Sequence, residues 1–598
     1  MEGMCPARSF TSFSLLLLLY VLISAAGQGA NDSSEAAKGD QFGGMEVRGG
    51  DATGFFHVER KNGRSILVTP EGHAFWTIRA DVIGPGDGGK IARNTMMTKY
   101  DGKQFAFADH ALEQLRTWGF NTVGVYSSNY ALPVLTNSRK TAAQTKMPFI
   151  RLLNVSRLST LPDGMWAPQP VKTLLAGAVD ADVYKGWPGN VPDVFDPNFE
   201  IAARNIAGEL SKAVNRRPRF TKKGPHGGLP HPSLADEPWL LATSPDDADF
   251  VFGIGGAGPE FPGVDNSISP HLGWVVAVTK PTQTETEGLG KAFRRKGTTV
   301  LYPDPIVYAK RAWQEFLEKR YGTIRALNAA WGASYTTFDS DGGWPTGRGV
   351  MDESGRNPWI GSDFKALSTA NPKAAADLDT FLEIFADRYF KVVTDAIRAA
   401  TPKQLVLSPI SLNGHKGLTR RQVLRAAGRY CDIVDVHFSP ERPELLGITY
   451  AETHRPMFAT IGLKANADSD LYAFPAAGPN SVSSQTERAA EYKRELDFLL
   501  TYRAPDRTYP IVGIDWWEYM DNWGEKSNFG LVSMRDNAYD GKQAIRAKGT
   551  DAWGMQTGGE DRDYGDFITS LQQTNLNLLE QLRRELEPSR ENAVPGAK

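Results

Sequence analysis

The chain is poor in cysteine, with two in 598 residues, Cys5 and Cys431. A disulfide framework is therefore excluded, and stability has to come from the size of the core. An excess of charge of one sign is also missing. Sixty-seven Lys and Arg against 69 Asp and Glu leave a formal net charge of -2. That balance gives no footprint for nucleic acid and no basic patch for a membrane. The sequence has no H-E-x-x-H, no G-x-S-x-G elbow and no phosphate loop. "GIGGAG" at 253–258 has the letters of a nucleotide loop, but Pro259 follows it and no strand–helix frame surrounds it. "NADSD" at 466–470 lacks the glycine and the later glutamate of a calcium hand. No metal and no cofactor is expected. No internal repeat of about 20–50 residues is visible, which sets aside solenoids and propellers.

What is present begins with a leader. Arg8 supplies a positive charge, "FTSFSLLLLLYVLISAA" an apolar core, and "SAAGQGA" small residues for cleavage. Residues 1–28 read as a signal peptide removed near residues 26–30, and 29–50 as a linker. The mature chain is then secreted or periplasmic, without a stable membrane span, and retains Cys431 alone.

The rest reads as alternating strands and helices. A small β-rich lead-in, 51–72, has turns at "KNGR" and "PEGH". Eight apolar runs follow: "AFWTIRAD", "NTVGVY", "PFIRLLNV", "PWLLATS", "QLVLSPIS", "CDIVDVHF", "RPMFATIGL" and "YPIVGIDWW". Most are separated by segments of helical spacing, such as the one placing Phe381, Phe385, Tyr389, Val392 and Ile397 on one face. Alternation of this kind implies a parallel sheet, and eight units fit a (β/α)8 TIM barrel over 73–550. Residues 551–598 read as a C-terminal helical extension and tail.

In such a barrel the chemistry sits at the C-terminal ends of the strands. Those ends carry Asp81, Asn129, Asp246, Asp247, Asn413, His415, His437, Trp516, Trp517, Glu518 and Asp521. Acids and amides bind hydroxyls, and an indole face stacks on the apolar face of a sugar, so the ring suits a neutral polyhydroxylated ligand. Each residue also has a plainer reading. At least one of Trp516 and Trp517 can be core, Asp246 can cap a helix, and Glu518 can bond a neighbouring backbone group or pair with a cation.

Five segments carry a resemblance: "GRSILVTPEGHAFWTI", "LRTWGFNTVGVYS", "DVFDPNF", "FLEKRYGTIRALNAAWGASYTTFD" and "VGIDWWEYMDNWGEKSNFGLVS". Together they resemble the large clan of retaining glycoside hydrolases with (β/α)8 barrels, most of all its β-agarase and β-galactosidase-like groups. The resemblance covers roughly residues 50 to 550. It implies hydrolysis of a β-linked galactan or related polysaccharide, a glutamate acid/base after the fourth strand and a glutamate nucleophile after the seventh. This sequence departs from the pattern at both places. After the fourth strand stands Asp247, with Glu237 of "DEP" the alternative acid, although "DEP" precedes the apolar run. After the seventh stand Thr460 and Ile461, and the best-placed substitute carboxylate is Glu518. Three readings stay open: a hydrolase with an unusual carboxylate pair, a carbohydrate-binding barrel without catalysis, and a hydrolase in which the seventh strand is misaligned.

Overall fold

A computed structural model describes residues 39–84, 89–127, 146–155, 173–175, 190–213, 219–221, 224–226, 232–246, 308–338, 349–350, 371–412, 420–461, 465–466, 469, 481–522, 528–542, 544–545, 549–550, 556–557, 562–563 and 565–587. The expected signal peptide lies outside the described residues.

Eight strands form the centre: β1 (Thr77–Ala80), β2 (Thr122–Val123), β3 (Phe149–Leu152), β4 (Leu240–Ser244), β5 (Leu405–Val406), β6 (Val434–His437), β7 (Met457–Ile461) and β8 (Ile511–Trp516). They pair in the order β5-β4-β3-β2-β1-β8-β7-β6, each pairing parallel. The ends of this order meet. Leu407, just beyond β5, forms a parallel bridge with Ile433, just before β6, and the Ser408 N–H donates to the Ile433 carbonyl at 3.0 Å. The sheet thus curls into a closed ring, the expected TIM-barrel architecture. Every position of β4, β7 and β8 is buried. A strand with helices on one face and the barrel interior on the other has no solvent side, so it reads as an apolar run rather than an alternation.

The run "AFWTIRAD" divides between two sheets. Ala74 and Phe75 pair antiparallel with Val68 and Leu67 in a three-stranded sheet with His57–Lys61 and Arg64–Val68. Trp76 is the joint between them. It is buried, and its Nε1 donates to the Ile511 carbonyl at 3.1 Å, tying the small sheet to β8.

The helices begin where their capping chemistry says they should. Asp196 accepts the Asn198 N–H, and Pro197 opens the helix Pro197–Gly208. Asn371 accepts the Ala374 N–H at the head of Pro372–Ala400, whose buried face includes Phe381, Phe385, Tyr389, Val392 and Ile397. Between β4 and that long helix, Tyr308–Tyr321 and Ile324–Trp331 form a helical hairpin. Thr323 caps the second helix, and Gly332 ends it at φ +60°, a left-handed turn that glycine adopts without cost.

"RYGTIRALNAAWG" has a packing role in this hairpin. Buried Asp377 on the long helix accepts from the Tyr321 hydroxyl at 2.6 Å and Trp331 Nε1 at 2.8 Å, with Arg320 Nε 2.6 Å from its other oxygen. The final helix, Ile568–Leu586, closes the outer layer. Its buried Asn575 accepts from the Tyr492 hydroxyl at 2.5 Å, on the helix Gln485–Thr501 that follows β7. The same amide donates to the Trp118 carbonyl at 2.9 Å, at the end of the helix Gln104–Thr117 that follows β1. It therefore occupies the place of an eighth barrel helix. Among the described residues no helix is long and apolar enough to cross a membrane.

Asp377→Ala leaves buried Trp331 Nε1 and the half-buried Tyr321 hydroxyl without their acceptor. It should lower the unfolding free energy by about 1–3 kcal/mol in a denaturant titration. A loss under about 1 kcal/mol would show that apolar packing alone docks the hairpin.

Candidate active site at the barrel mouth

The barrel interior is charged where many barrels carry layers of Val, Ile and Leu. Arg79 of β1 reaches across to Asp435 of β6 in a close ion pair, and its Nε lies 3.0 Å from Asp515 of β8. The guanidinium also covers the Phe458 ring of β7 at 5.0 Å. Asp435 accepts the Ser411 N–H at 2.9 Å and lies 3.5 Å from the Thr460 hydroxyl. Burial opposes the charge on Arg79, but Asp435 and Asp515 outweigh it and hold the guanidinium above its ordinary range.

One cation faces three carboxylates, since Asp81 ends β1 directly above. Burial pushes Asp81 up from 3.8 to about 6, with Arg79 pulling against it. Burial drives Asp515 well above its ordinary value, again against Arg79. Burial thus favours the protonated form of both carboxyls and lessens the excess of negative charge around the one cation.

Asp81 was expected to meet substrate hydroxyls, and the structure gives it another task. It is fully buried, and its carboxylate accepts the N–H groups of Tyr126 at 2.7 Å, Val82 at 3.0 Å and Val125 at 3.1 Å. Gly124 makes room for it, because a Cβ there would stand 2.5 Å from the carboxylate.

The two tryptophans of "GIDWW" have opposite fates. Asp515 faces the interior, so Trp516 faces outward into the helical layer. It is buried against Tyr492 at 5.4 Å and Phe567 at 5.3 Å, with the Arg488 guanidinium 4.9 Å from its ring. Trp516 is thus the member of the pair that packs in the core and offers no open face for a sugar. Trp517 is half-buried and meets the ring of Tyr126 edge-on, 4.9 Å away at 85°. The peptide bond between Trp517 and Glu518 is cis.

Glu518 is buried and accepts from Asn522 Nδ2 at 3.1 Å, while its backbone carbonyl receives Trp516 Nε1 at 3.1 Å. Asp521 is buried as well. One oxygen accepts the Gly530 N–H at 2.9 Å and the other a close hydrogen bond from the Tyr539 hydroxyl, so it pins the following loop rather than lining an open surface.

Across the ring, four strands from β8, Asp246 follows β4. It is buried, its side chain takes a close hydrogen bond from the Tyr389 hydroxyl, and its carbonyl accepts from Ser244 Oγ at 2.9 Å. Asp247, Asn129, Asn413 and His415 lie outside the described residues. His437 is half-buried as the last residue of β6. Glu237 precedes β4 at the opposite end of the barrel from Asp246, where it accepts the Trp239 N–H at 3.2 Å and burial raises its pKa. At the end of β7, Thr460 turns toward Asp435 and Ile461 is buried. Among the described residues no three His, Cys, Asp or Glu side chains gather as metal ligands.

Sequence reasoning missed Arg79, Asp435, Asp515 and Tyr126. The signal for the first three was available: each is a charge flanked by apolar residues inside a strand run, and such a residue is tolerated only when paired.

A closed parallel barrel with aromatic and acidic residues at the C-terminal ends of its strands is the class that fold and site define. No family model matches the chain. The chain is similar to β-agarase B of Vibrio sp. (strain JT0107), 22% identical over 561 residues that cover 81% of this chain and 47% of the relative. It is also similar to β-agarase A of the same strain, 22% identical over 77% of this chain and 37% of that protein. The chain thus spans less than half the length of these relatives. Among solved structures, it resembles an exo-β-agarase at 19% identity over 92% of this chain and 68% of the other, with a TM-score of 0.59. A second agarase superposes with a TM-score of 0.59 at 16% identity, over 91% and 68% of the two chains. These likenesses show the fold.

The interior cluster has a testable electrostatic signature. Asp81 and Asp515 hold a proton more tightly folded than unfolded. Their contribution to stability is complete below their ordinary value of 3.8 and is lost as pH rises, through about 6 for Asp81 and well above the ordinary value for Asp515. Asp515→Asn mimics the protonated form, so its stability relative to the parent should climb as pH rises above the ordinary carboxylate range. Asp435→Asn removes the close partner of buried Arg79 and should cost about 3–5 kcal/mol at neutral pH. Equal losses for the two variants in parallel urea titrations would contradict this division.

Proposed function

We propose that the chain is an exported glycoside hydrolase acting on a β-linked polysaccharide or oligosaccharide of the agarose or galactan type. The observation carrying this reading is the end of β8, where half-buried Trp517 is followed directly by buried Glu518. Similarity to β-agarases over most of the chain supports it.

In the proposed mechanism Asp247 is the general acid and protonates the leaving glycosidic oxygen. Glu518, four strands away, is the second carboxylate. A partner across the mouth leaves room for a water, so Glu518 acts as general base on that water and the anomeric configuration inverts. The two carboxyl groups then stand about 6.5–9.5 Å apart rather than about 5–5.5 Å. Trp517 orients the sugar by stacking. His437, Asn129, Asn413 and His415 are the candidate partners for hydroxyls.

A second reading, a carbohydrate-binding barrel without catalysis, is favoured by one observation. Buried Ile461 stands at the end of β7, and it can neither attack carbon nor accept a proton.

Turnover on agarose and a panel of galactans separates the two. Under the first reading Asp247→Asn and Glu518→Gln each lower kcat by about 10²-fold or more with the fold intact, and the product anomer read by NMR is inverted. Activity unchanged in both variants removes the assignment. Sugar binding without turnover in the parent establishes the second reading. Export through the leader is tested by mass spectrometry of the mature N-terminus, expected near residues 26–30; an intact Met1 on the secreted product contradicts it.

A further inference from the structure

We propose that Tyr126 and Trp517 are the two walls of one sugar subsite, and that Asp81 is the positioning residue that holds both. The proposal rests on the carbohydrate reading above and adds to it a second aromatic, from the end of β2, and the means by which the pair is aligned.

Three segments meet at this corner of the mouth. The first is the residue pair 81–82 that leaves β1, the second the turn Val125–Ser127 beyond β2, and the third residues 516–519 at the end of β8 and just beyond it. In the second and third, buried residues flank a half-buried aromatic: Val125 and Ser127 around Tyr126, and Trp516 and Glu518 around Trp517. The chain thus anchors everything on either side of these two rings while leaving each ring partly open. Their planes stand at 85° with centroids 4.9 Å apart, so together they make a corner rather than a flat stack. A pyranose ring laid against one aromatic face presents its edge to the other, and such a corner restrains both the position and the rotation of the sugar.

Asp81 is the common fastener. Its backbone N–H donates to the Trp516 carbonyl at 3.1 Å, and its carbonyl accepts the Tyr519 N–H at 2.8 Å. These two bonds bracket Trp517 and Glu518. Its carboxylate accepts the N–H of Tyr126 at 2.7 Å and that of Val125 at 3.1 Å, which fixes the backbone of the turn carrying the other ring. Ser127 adds a further tie, because its hydroxyl oxygen accepts the Ile83 N–H at 2.9 Å. One residue therefore aligns the two walls through main-chain bonds on one side and side-chain bonds on the other. A buried carboxylate satisfied by backbone donors does not itself reach the ligand.

The test uses the full chain and agarose-derived oligosaccharides, with oligosaccharides of xylan, mannan and cellulose as a comparison panel. Calorimetry should show Tyr126→Ala and Trp517→Ala each weakening binding of the preferred oligosaccharide about tenfold, with Tyr126→Phe retaining most of it because the ring face is the wall. The double variant should be weaker than either by less than the product of the two, since each wall works only against the other. Asp81→Asn keeps the volume but replaces one acceptor oxygen with a donor. It should weaken binding comparably, alter the near-UV circular dichroism of the aromatic pair, and add little when combined with Tyr126→Ala. A merely structural role would lower the unfolding midpoint without that non-additivity. Should Asp81→Asn fail to fold, the Tyr126–Trp517 cycle still decides the subsite. If the parent binds an oligosaccharide and Tyr126→Ala binds it equally well, the subsite is wrong while the carbohydrate reading stands. If the parent binds no member of the panel, the carbohydrate reading falls and takes the subsite with it.

Discussion

The guanidinium of Arg79, buried in the barrel interior, touches carboxylates on two other strands, and through them it sets how those strands sit against β1. Its link to Asp435 spans the ring from β1 to β6, and its approach to Asp515 ties β1 to β8. A buried ion pair is weak as a source of stability, because desolvation consumes most of the attraction. Its effect here is on register. A one-residue slip of β1 would turn the guanidinium into the helical layer and leave Asp435 and Asp515 without a cation. The same cation lies beneath Asp81 and opposes the burial that raises its pKa, and Asp81 in turn holds the turn beyond β2 and the residues beyond β8.

That arrangement explains why the mouth is asymmetric. On the side of β1, β2 and β8, a dense set of hydrogen bonds fixes Tyr126, Trp517 and Glu518. On the side of β7, the strand ends in a threonine turned inward and a buried isoleucine. No residue of β7 itself is a carboxylate.

The segment with the most specific resemblance, "RYGTIRALNAAWG", works away from the strand ends. Tyr321 and Trp331 converge on Asp377 and dock a helical hairpin against the long helix Pro372–Ala400. A motif of two aromatics and a cap at fixed spacing is demanding because one buried acid must satisfy several donors at once. Its recognisability reflects packing geometry, so it speaks for the architecture and leaves the chemistry to the mouth.

Much of the architecture was legible in the residues alone. Eight apolar runs divided by helical spacing, with Asp196–Pro197 and Asn371–Pro372 at helix starts, follow from local periodicity and capping, which act over a few residues. The division of "GIDWW" into an interior Asp515, a core Trp516 and a half-open Trp517 could not be read locally. It depends on which face of β8 meets the barrel axis and on where the strand leaves the sheet. The role of Asp81 was likewise hidden, because its partners are 44 and 45 residues away in sequence and belong to a neighbouring strand's turn. Sequence by itself determined the alternation of strands and helices, the missing carboxylate on β7 and the pool of acids and aromatics at the strand ends. Only tertiary structure decided which of those side chains are consumed in holding the barrel together, because burial and pairing are set by residues that the chain brings together from hundreds of positions apart.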